Sequence, residues 1–347
     1  MKINVKKLPK SEVEIEGEIE AEIFEGYWNK ALKKVGENAE FDGFRKGKVP
    51  ENVLLSKIPE IRILEEMAEL ALSENYPMIL EENKIDAIGR PEIVITKLAR
   101  KNPMGFKIKT AVLPEVSLPD YKKIAKEIMG NVPENEKNIT VSDEELEKTI
   151  EEIRKSRAPK VEAKEGEEEK KLEPILPELN DEFVKSMGPF ENVEDFRKKL
   201  RENIKLEKEN QAKEKTRIKM VEKIIDGSEM ELPEILMESE TSKIIHRMQG
   251  DVAQMGLKFE DYLTHLKKNE EDLRKDFRKD AEQRSKLSLV LANIAKVENI
   301  KPEDEAIEHE VAHILEHYKE ADPEAARMHT HQVLSNEKVF EFLEAQK

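Results

Sequence analysis

The sequence predicts an α+β protein with a small N-terminal α+β domain, an extended linker and a large all-helical C-terminal domain. Charged residues make up 39% of the 347 residues and aromatic residues only 5%, a composition typical of long amphipathic helices. Early in the chain, apolar residues recur every second residue in some segments and at the spacing of a helix in others. From Leu176 onward their spacing is that of a helix. Because 347 residues exceed one ordinary core, we predict domains at 1–113, 114–175 and 176–347.

The first domain is predicted to begin with a strand and a helix. Over residues 12–19, Val13, Ile15 and Ile19 alternate with glutamates at the even positions, the pattern of a half-buried strand. Apolar residues at helical spacing predict a helix over 21–36, with Gly36 as its stop. The N-terminal domain therefore starts with a β-α unit.

Helix and hairpin signals complete the predicted order β-α-loop-α-β-β. Pro50 is placed as the first helical residue after a loop, and residues 61–82 carry a longer helix. The β-branched segments 93–96 and 106–112 are separated by Asn102-Pro103-Met104-Gly105. This pattern predicts an antiparallel hairpin.

The linker is predicted to be extended, with one helix. Pro119 and Pro133 punctuate its first part, and Ser142 to Glu145 form a capping-box pattern that opens a helix ending near Arg157. Residues 160–173 are a run of Glu and Lys. Such a run buries too little apolar area to offset its ordering, which predicts a flexible segment.

The C-terminal domain is predicted to be a set of amphipathic helices that pack against each other. We expect them over 192–226, 234–254 and 270–297, with a shorter one from Phe259 and a further one from Pro302. Seven methionines lie beyond Pro177: Met187, Met220, Met230, Met237, Met248, Met255 and Met328. Flexible thioethers suit a surface that binds many partners, although core filler is the alternative interpretation of each.

A basic octet stands between the first two predicted helices. It reads Gly43, Phe44, Arg45, Lys46, Gly47, Lys48, Val49 and Pro50. Two glycines and a proline prevent a continuous helix or strand, so the octet is predicted to be a turn. Its cations and its ring suit an anionic partner with an apolar pocket nearby, whereas a solvated basic loop is the alternative.

This octet resembles the ribosome-docking signature of the trigger factor family. The resemblance continues through 89–92 and 113–116, and more loosely through 231–233, 256–263 and 287–291. It implies an antiparallel sheet against two helices and a helical chaperone domain with two arms and an uneven, partly apolar inner surface. Docking would use Phe44, Arg45 and Lys46, supported by Lys48 within the frame of Gly43, Gly47 and Pro50.

The partners implied by the resemblance are the large ribosomal subunit at the tunnel exit and unfolded or nascent polypeptides. The contacts on the subunit would be a ribosomal protein and nearby rRNA, and the free protein could form a homodimer. Most trigger factors also carry a prolyl-isomerase domain of the FKBP type before the segment that resembles Leu176 to Phe183. The residues available here are too few for such a domain. We therefore expect no prolyl-isomerase activity and no enzyme.

Charge and composition argue against several other classes of protein function. The net charge of −16 argues against a general nucleic-acid binder, although a local basic loop can still dock. Cysteine is absent, which excludes disulfides and thiolate metal sites. The sequence has neither a signal-peptide h-region nor a membrane-length apolar run, so a cytoplasmic location is expected. Phosphate-binding glycine motifs are also absent, and no ATP or other cofactor is expected.

One zinc-protease pattern, His309-Glu310-Val311-Ala312-His313, lies on a predicted helix. At 100° per residue, His309 and His313 fall opposite the apolar residues, which we expect to be Ile307, Val311, Ile314, Leu315 and Tyr318. His317 lies about 12 Å along the helix from His309, too far to share one zinc. Solvated histidines are therefore predicted, with surface metal binding by His309 and His313 as an alternative.

The leading hypothesis is an ATP-independent, ribosome-associated holdase. Two others stay open on sequence grounds: a zinc metallopeptidase that uses residues 309–313, and a holdase that acts without the ribosome.

Overall fold

The computed structural model describes residues 1–40, 44, 49–158 and 176–346. Two compact units are distinguished by their internal contacts. The first comprises Met1–Leu118 with Ser228–Asn293, and the second comprises Pro119–Gly227 with Ile294–Lys347. Helices dominate the described residues and one four-stranded sheet lies near the N-terminus, which confirms the predicted α+β class. The domain boundaries at 113 and 176 stay a prediction.

The N-terminal part of the first unit places helices on one face of an antiparallel sheet. Its elements are β1 (Lys2–Leu8), β2 (Glu12–Ile19), α1 (Ala21–Glu25), α2 (Trp28–Asn38), α3 (Glu51–Lys57), α4 (Glu60–Glu82), β3 (Ala87–Lys97) and β4 (Met104–Val112). The strand order is β1-β2-β4-β3. The predicted hairpin is thus confirmed as β3 and β4, with Ile93 opposite Ile108.

The core of this unit lies between the inner face of the sheet and the helices. Alternation in β2 buries Val13, Ile15 and Ile19, while β4 contributes the fully buried Phe106 and Ile108. The long helix α4 buries the side chains that recur at helical spacing along one stripe: Ile63, Leu64, Met67, Ala68, Ala71, Leu72 and Ile79. Local periodicity therefore specifies which faces meet.

Three details of this region differ from the sequence prediction. Strand β1 was not predicted, because Lys and Asn occupy its outer positions and leave only a weak apolar pattern. The helix expected over 21–36 is interrupted near Gly26 and Tyr27. Gly36 does not end α2, since the helix continues to Asn38.

Packing explains the glycine at position 36. A Cβ atom built there would lie 2.7 Å from Leu54 Cδ1, so the glycine allows α3 to approach α2 closely. Pro50 is the N-cap of α3 and not its first helical residue, a difference of one position.

The middle of the chain is helical. Its elements are α5 (Tyr121–Gly130), α6 (Glu134–Lys137), α7 (Asp143–Arg157), α8 (Asp181–Met187) and α9 (Val193–Asp226). The capping box at Ser142 and Glu145 is confirmed, and α9 matches its predicted range. The expectation of a single linker helix is wrong: Asp120 caps α5, whose Tyr121 and Ala125 are buried. Residues 160–173, predicted to be flexible, lie outside the described residues.

The remaining elements are α10 (Glu234–Gln254), α11 (Phe259–Leu266), α12 (Glu270–Asp276), α13 (Arg278–Val297), α14 (Asp304–His317) and α15 (Pro323–Glu344). The long helix expected over 270–297 is interrupted at Phe277, the C-cap residue of α12. Helix α15, for which the sequence analysis made no prediction, contacts α14.

Candidate functional site

The basic octet lies between α2 and α3, as predicted. Of its residues, Phe44, Val49 and Pro50 are described, while Gly43, Arg45, Lys46, Gly47 and Lys48 lie outside the described part. Phe44 is 40% exposed. A ring with this exposure is available to a partner at little cost to the core.

The described residues on either side of Phe44 pack against the core beneath the sheet. On the α2 side, Ala39 packs against the core cluster, and Val49 does so on the α3 side. The close contact of Gly36 with Leu54 holds the two flanking helices together. Apolar packing thus holds the chain at Ala39 and at Val49, on either side of Phe44.

Helix α2 is also held on α4 by polar contacts. Lys34 Nζ lies 2.6 Å from Glu66 Oε1, and this interaction raises the pKa of Lys34. The Tyr27 hydroxyl donates to Glu74 over 2.9 Å. Burial, followed by that hydrogen bond, raises the pKa of Tyr27. These contacts fix the helix from which the octet emerges.

The second unit exposes a shallow groove along α9, whose lining residues all lie on this helix and are mostly polar or charged. Its volume is about 710 Å³, and Leu206 and Ile218 are among its lining residues. They are 57% and 54% exposed, with Asn210 and Glu214 between them in the groove. Two large aliphatic side chains with polar neighbours form a surface that can hold an apolar segment without strict geometric demands.

The seven methionines fall into different environments. Met220 is fully buried and Met237 nearly so, which matches the core-filler interpretation. Met255 and Met328 are 74% and 69% exposed, and Met187, Met230 and Met248 are half-buried. Sequence spacing could not separate these cases, because tertiary packing decides which thioether is covered.

Within the first unit, Met255 belongs to a second exposed apolar feature. It precedes Gly256, whose φ of +75° allows the turn between α10 and α11. Leu257 follows at 52% exposure. Sequence patterns alone did not predict that Leu257, Leu206 and Ile218 are exposed. An aliphatic residue beside a helix-ending glycine is the signal that points to Leu257, whereas the α9 pair needs the structure.

The zinc-protease pattern is on the solvent side of α14. His309, Glu310 and His313 are exposed, whereas Ile307 and Val311 are buried on the other face. The rings of His313 and His317 lie 4.6 Å apart in an edge-to-face arrangement. The described residues contain no cluster of three or more His, Asp or Glu side chains with metal-binding geometry. Burial of Tyr318 was wrongly predicted, since it follows the helix end and is 70% exposed.

None of the helices in the described ranges combines the length and the apolar character that crossing a bilayer requires.

Comparisons with known proteins agree with the sequence resemblance. The family model described as "Bacterial trigger factor protein (TF)" matches residues 1–153, and the one described as "Bacterial trigger factor protein (TF) C-terminus" matches residues 192–345. The family's two end regions are thus present, and residues 154–191 between them are too few for an isomerase domain.

Individual relatives align over most of their length. The trigger factor of Pelotomaculum thermopropionicum is 24% identical, with 94% of this chain and 91% of the relative covered. That of Halalkalibacterium halodurans is 26% identical, with 84% of each covered. A solved structure from work on promiscuous substrate recognition in folding and assembly by the trigger factor chaperone has a TM-score of 0.56 at 19% identity, over 100% of both chains. The solved structure shows the same fold, and the two family models, which together match most of the chain, show that it belongs to the bacterial trigger factor family of chaperones.

Proposed function

We propose that this protein is an ATP-independent, ribosome-associated holdase of the cytoplasm without prolyl-isomerase activity. It docks beside the nascent-chain exit tunnel through residues 43–50 and holds unfolded polypeptides on exposed apolar helical surfaces. The observation that carries the proposal is the exposed Phe44, which lies between two residues, Ala39 and Val49, that pack against the core.

Preorganisation of the segment favours docking. A segment with fixed ends loses less conformational entropy on binding than a free tail does. Arg45, Lys46 and Lys48 supply charge for phosphate oxygens or acidic side chains, and Phe44 supplies apolar contact. The partner is the large ribosomal subunit, through a protein and rRNA at the tunnel exit.

Client holding rests on different chemistry. The α9 groove is lined by Leu206 and Ile218, and apolar burial is not directional. Holding is therefore weak for any single segment, unselective and tolerant of salt, whereas docking weakens as salt increases. The two activities separate experimentally by ionic strength.

Ribosome pelleting tests the docking step. We expect Phe44→Ala/Arg45→Ala/Lys46→Ala to abolish co-sedimentation while the fold is retained, because exposed loop residues contribute little to stability. A better matched comparison sets Phe44→Ala/Lys46→Ala against Tyr318→Ala/Lys319→Ala, which also removes one exposed ring and one lysine. Co-sedimentation of the Phe44 variants at the level of the unmodified protein would contradict the docking proposal.

A proline-limited refolding assay tests the absence of isomerase activity. The chain should leave the slow phase of a proline-containing substrate unchanged at concentrations at which it still suppresses aggregation. Catalytic acceleration of that phase would contradict the proposal.

A further inference from the structure

The two edges of the four-stranded sheet are unlike each other. Strand β1 forms one edge and β3 the other. On β1, Lys2 and Lys6 lie on the outer face, while Ile3 and Val5 pack against the core. Charged residues and covered apolar groups are the usual protection of an edge strand. This edge is therefore poorly suited to accept another strand.

Strand β3 lacks this protection along its central stretch. Ile93 and Ile95 lie opposite the fully buried Ile108 and Phe106, and so belong to the inner face of the sheet. They are nevertheless 44% and 37% exposed. Val94, on the outer face, is 58% exposed. Three consecutive β-branched residues thus face solvent on an edge.

The backbone of this edge offers a short regular template. The ladder with β4 is continuous from Glu92 to Ile95, with irregularities on both sides. Among the described residues, no other strand pairs with β3. Alternate residues of an antiparallel edge strand direct N–H and C=O away from the sheet. About two residues of this stretch can therefore form hydrogen bonds with an added strand through both groups.

We propose that the β3 edge binds an extended apolar segment of an unfolded client by strand addition. The inner-face pair Ile93 and Ile95 would contact alternate side chains of the added strand, and the backbone would supply hydrogen bonds independent of client sequence. This inference rests on the proposed holdase function and adds a second type of client site, one that recognises extended backbone instead of apolar surface alone.

The size of the template favours a client segment over a second copy of the chain. Four residues of strand extend only about 13 Å. Pairing two such edges buries far less than the roughly 1,200 Å² of total surface that a stable interface needs. A client that also contacts other surfaces needs only a weak site here, because the contacts of one flexible chain reinforce each other through effective concentration.

Backbone methylation of a probe peptide gives the sharpest test. The probe is a twelve-residue peptide with alternating Val and Thr, together with two versions N-methylated on alternate residues in opposite registers. All three have the same side chains. One methylated register should bind the full-length chain roughly tenfold more weakly, since its lost N–H groups face the edge, and the other should bind like the parent peptide. Equal affinities for the two methylated versions would overturn the proposal.

Variants of the protein locate the site. Ile95→Lys should weaken binding of the parent peptide at least about fivefold, because an inward-pointing charge on an edge strand opposes the addition of another strand. Leu113→Lys, also at an exposed aliphatic residue of this unit, is the matched control and should not. Because the chain has no cysteine, Val94→Cys, within the regular stretch of β3, gives a single thiol that should form a disulfide with a cysteine-containing probe peptide. Asn4→Cys, on the β1 edge, should not, and equal trapping at both positions would overturn the proposal.

The outcomes separate this inference from the holdase function. If the unmodified chain neither binds nor protects an unfolded client, the holdase proposal itself fails. If it protects the client but the parent peptide does not bind, only strand addition fails. Concentration-dependent dimerisation that Ile95→Lys abolishes, without any effect on peptide binding, would overturn the proposal and assign the edge to a second copy.

Discussion

The core beneath the sheet and the cluster where α7, α8 and α9 meet are stabilised in different ways. Beneath the sheet, side chains from three strands and four helices form one continuous apolar core. The α7–α9 cluster has four buried members, Leu146, Ile150, Val184 and Phe196. Here the helix starts are fixed by polar caps: Ser142 for α7, Asn180 for α8 and Asn192 for α9. Burial of apolar side chains therefore accounts for most of the stability of the first region. In the second region, the polar helix caps contribute a larger share of the stability.

The largest effect is expected from truncating the sheet core. Phe106→Ala should destabilise the first unit by about 3–5 kcal/mol, because the ring is fully buried and rigid neighbours leave a cavity. Urea unfolding followed by Trp28 fluorescence measures this change, since the only tryptophan lies in the same core.

Phe196→Ala is the matched truncation in the smaller cluster. It should cost less than Phe106→Ala, because the smaller cluster can relax around the gap and Phe196 is not completely buried. Urea unfolding followed by far-ultraviolet circular dichroism, which reports on the helices, measures this change. Equal losses for the two phenylalanines would contradict the distinction between the regions.

A buried cation provides the next largest effect. Arg217 on α9 forms two hydrogen bonds of 2.7 Å with Glu337 and one of 2.5 Å with Glu344, both on α15. Burial alone would lower the pKa of Arg217, but these carboxylates raise it. Arg217→Met leaves the two partly exposed carboxylates with the longer ion pairs to Lys213, at 3.6 and 3.7 Å, in place of the hydrogen bonds from Arg217. The substitution should cost about 2 kcal/mol at neutral pH after allowance for solvent screening.

The effect of Arg217→Met should depend on pH. The hydrogen bonds from Arg217 lower the pKa of Glu337 from its ordinary value of 4.5. A carboxylate with a lowered pKa contributes stability above that ordinary value and loses it as the pH falls through the folded-state pKa. The difference in unfolding free energy between the variant and the unmodified protein should therefore shrink below pH 4.5. A difference that is constant from pH 7 to pH 3 would contradict this assignment.

These contrasts also explain how far the sequence predicted the structure. The polar N-caps Ser142 and Asn192 and the glycine at position 227 that follows α9 are local signals, so the starts and ends of α7 and α9 were predicted to within a residue. Strand β1 and the interruption at Phe277 were not predicted, because sheet pairing and tertiary packing decide them. For the site, the sequence identified the octet and predicted that its ends join two helices. The α9 groove and the unprotected β3 edge required knowledge of which faces the fold leaves uncovered.

Removing a cap should have a smaller effect than removing either aromatic ring. Ser142→Ala eliminates the hydroxyl that accepts from Glu145 N–H over 3.2 Å, and should cost about 1 kcal/mol. Hydrogen exchange in the first turn of α7 should accelerate, while exchange within β2 and β4 stays unchanged. Unaltered protection of that turn would show that the apolar cluster alone holds α7.

The smallest expected effect concerns Gly36, where helix propensity and packing oppose each other. Alanine favours a helix over glycine by up to about 1 kcal/mol, and less in a last turn. Its Cβ, however, would lie 2.7 Å from Leu54 Cδ1, the mobile end of a side chain. Gly36→Ala should therefore change stability by less than about 0.5 kcal/mol. In a Leu54→Ala background the steric conflict disappears, and the same substitution should stabilise the protein by about 0.5 kcal/mol. Equal effects in both backgrounds would mean that the contact between α2 and α3 does not restrict position 36, and the packing that holds the flanks of the octet would need another explanation.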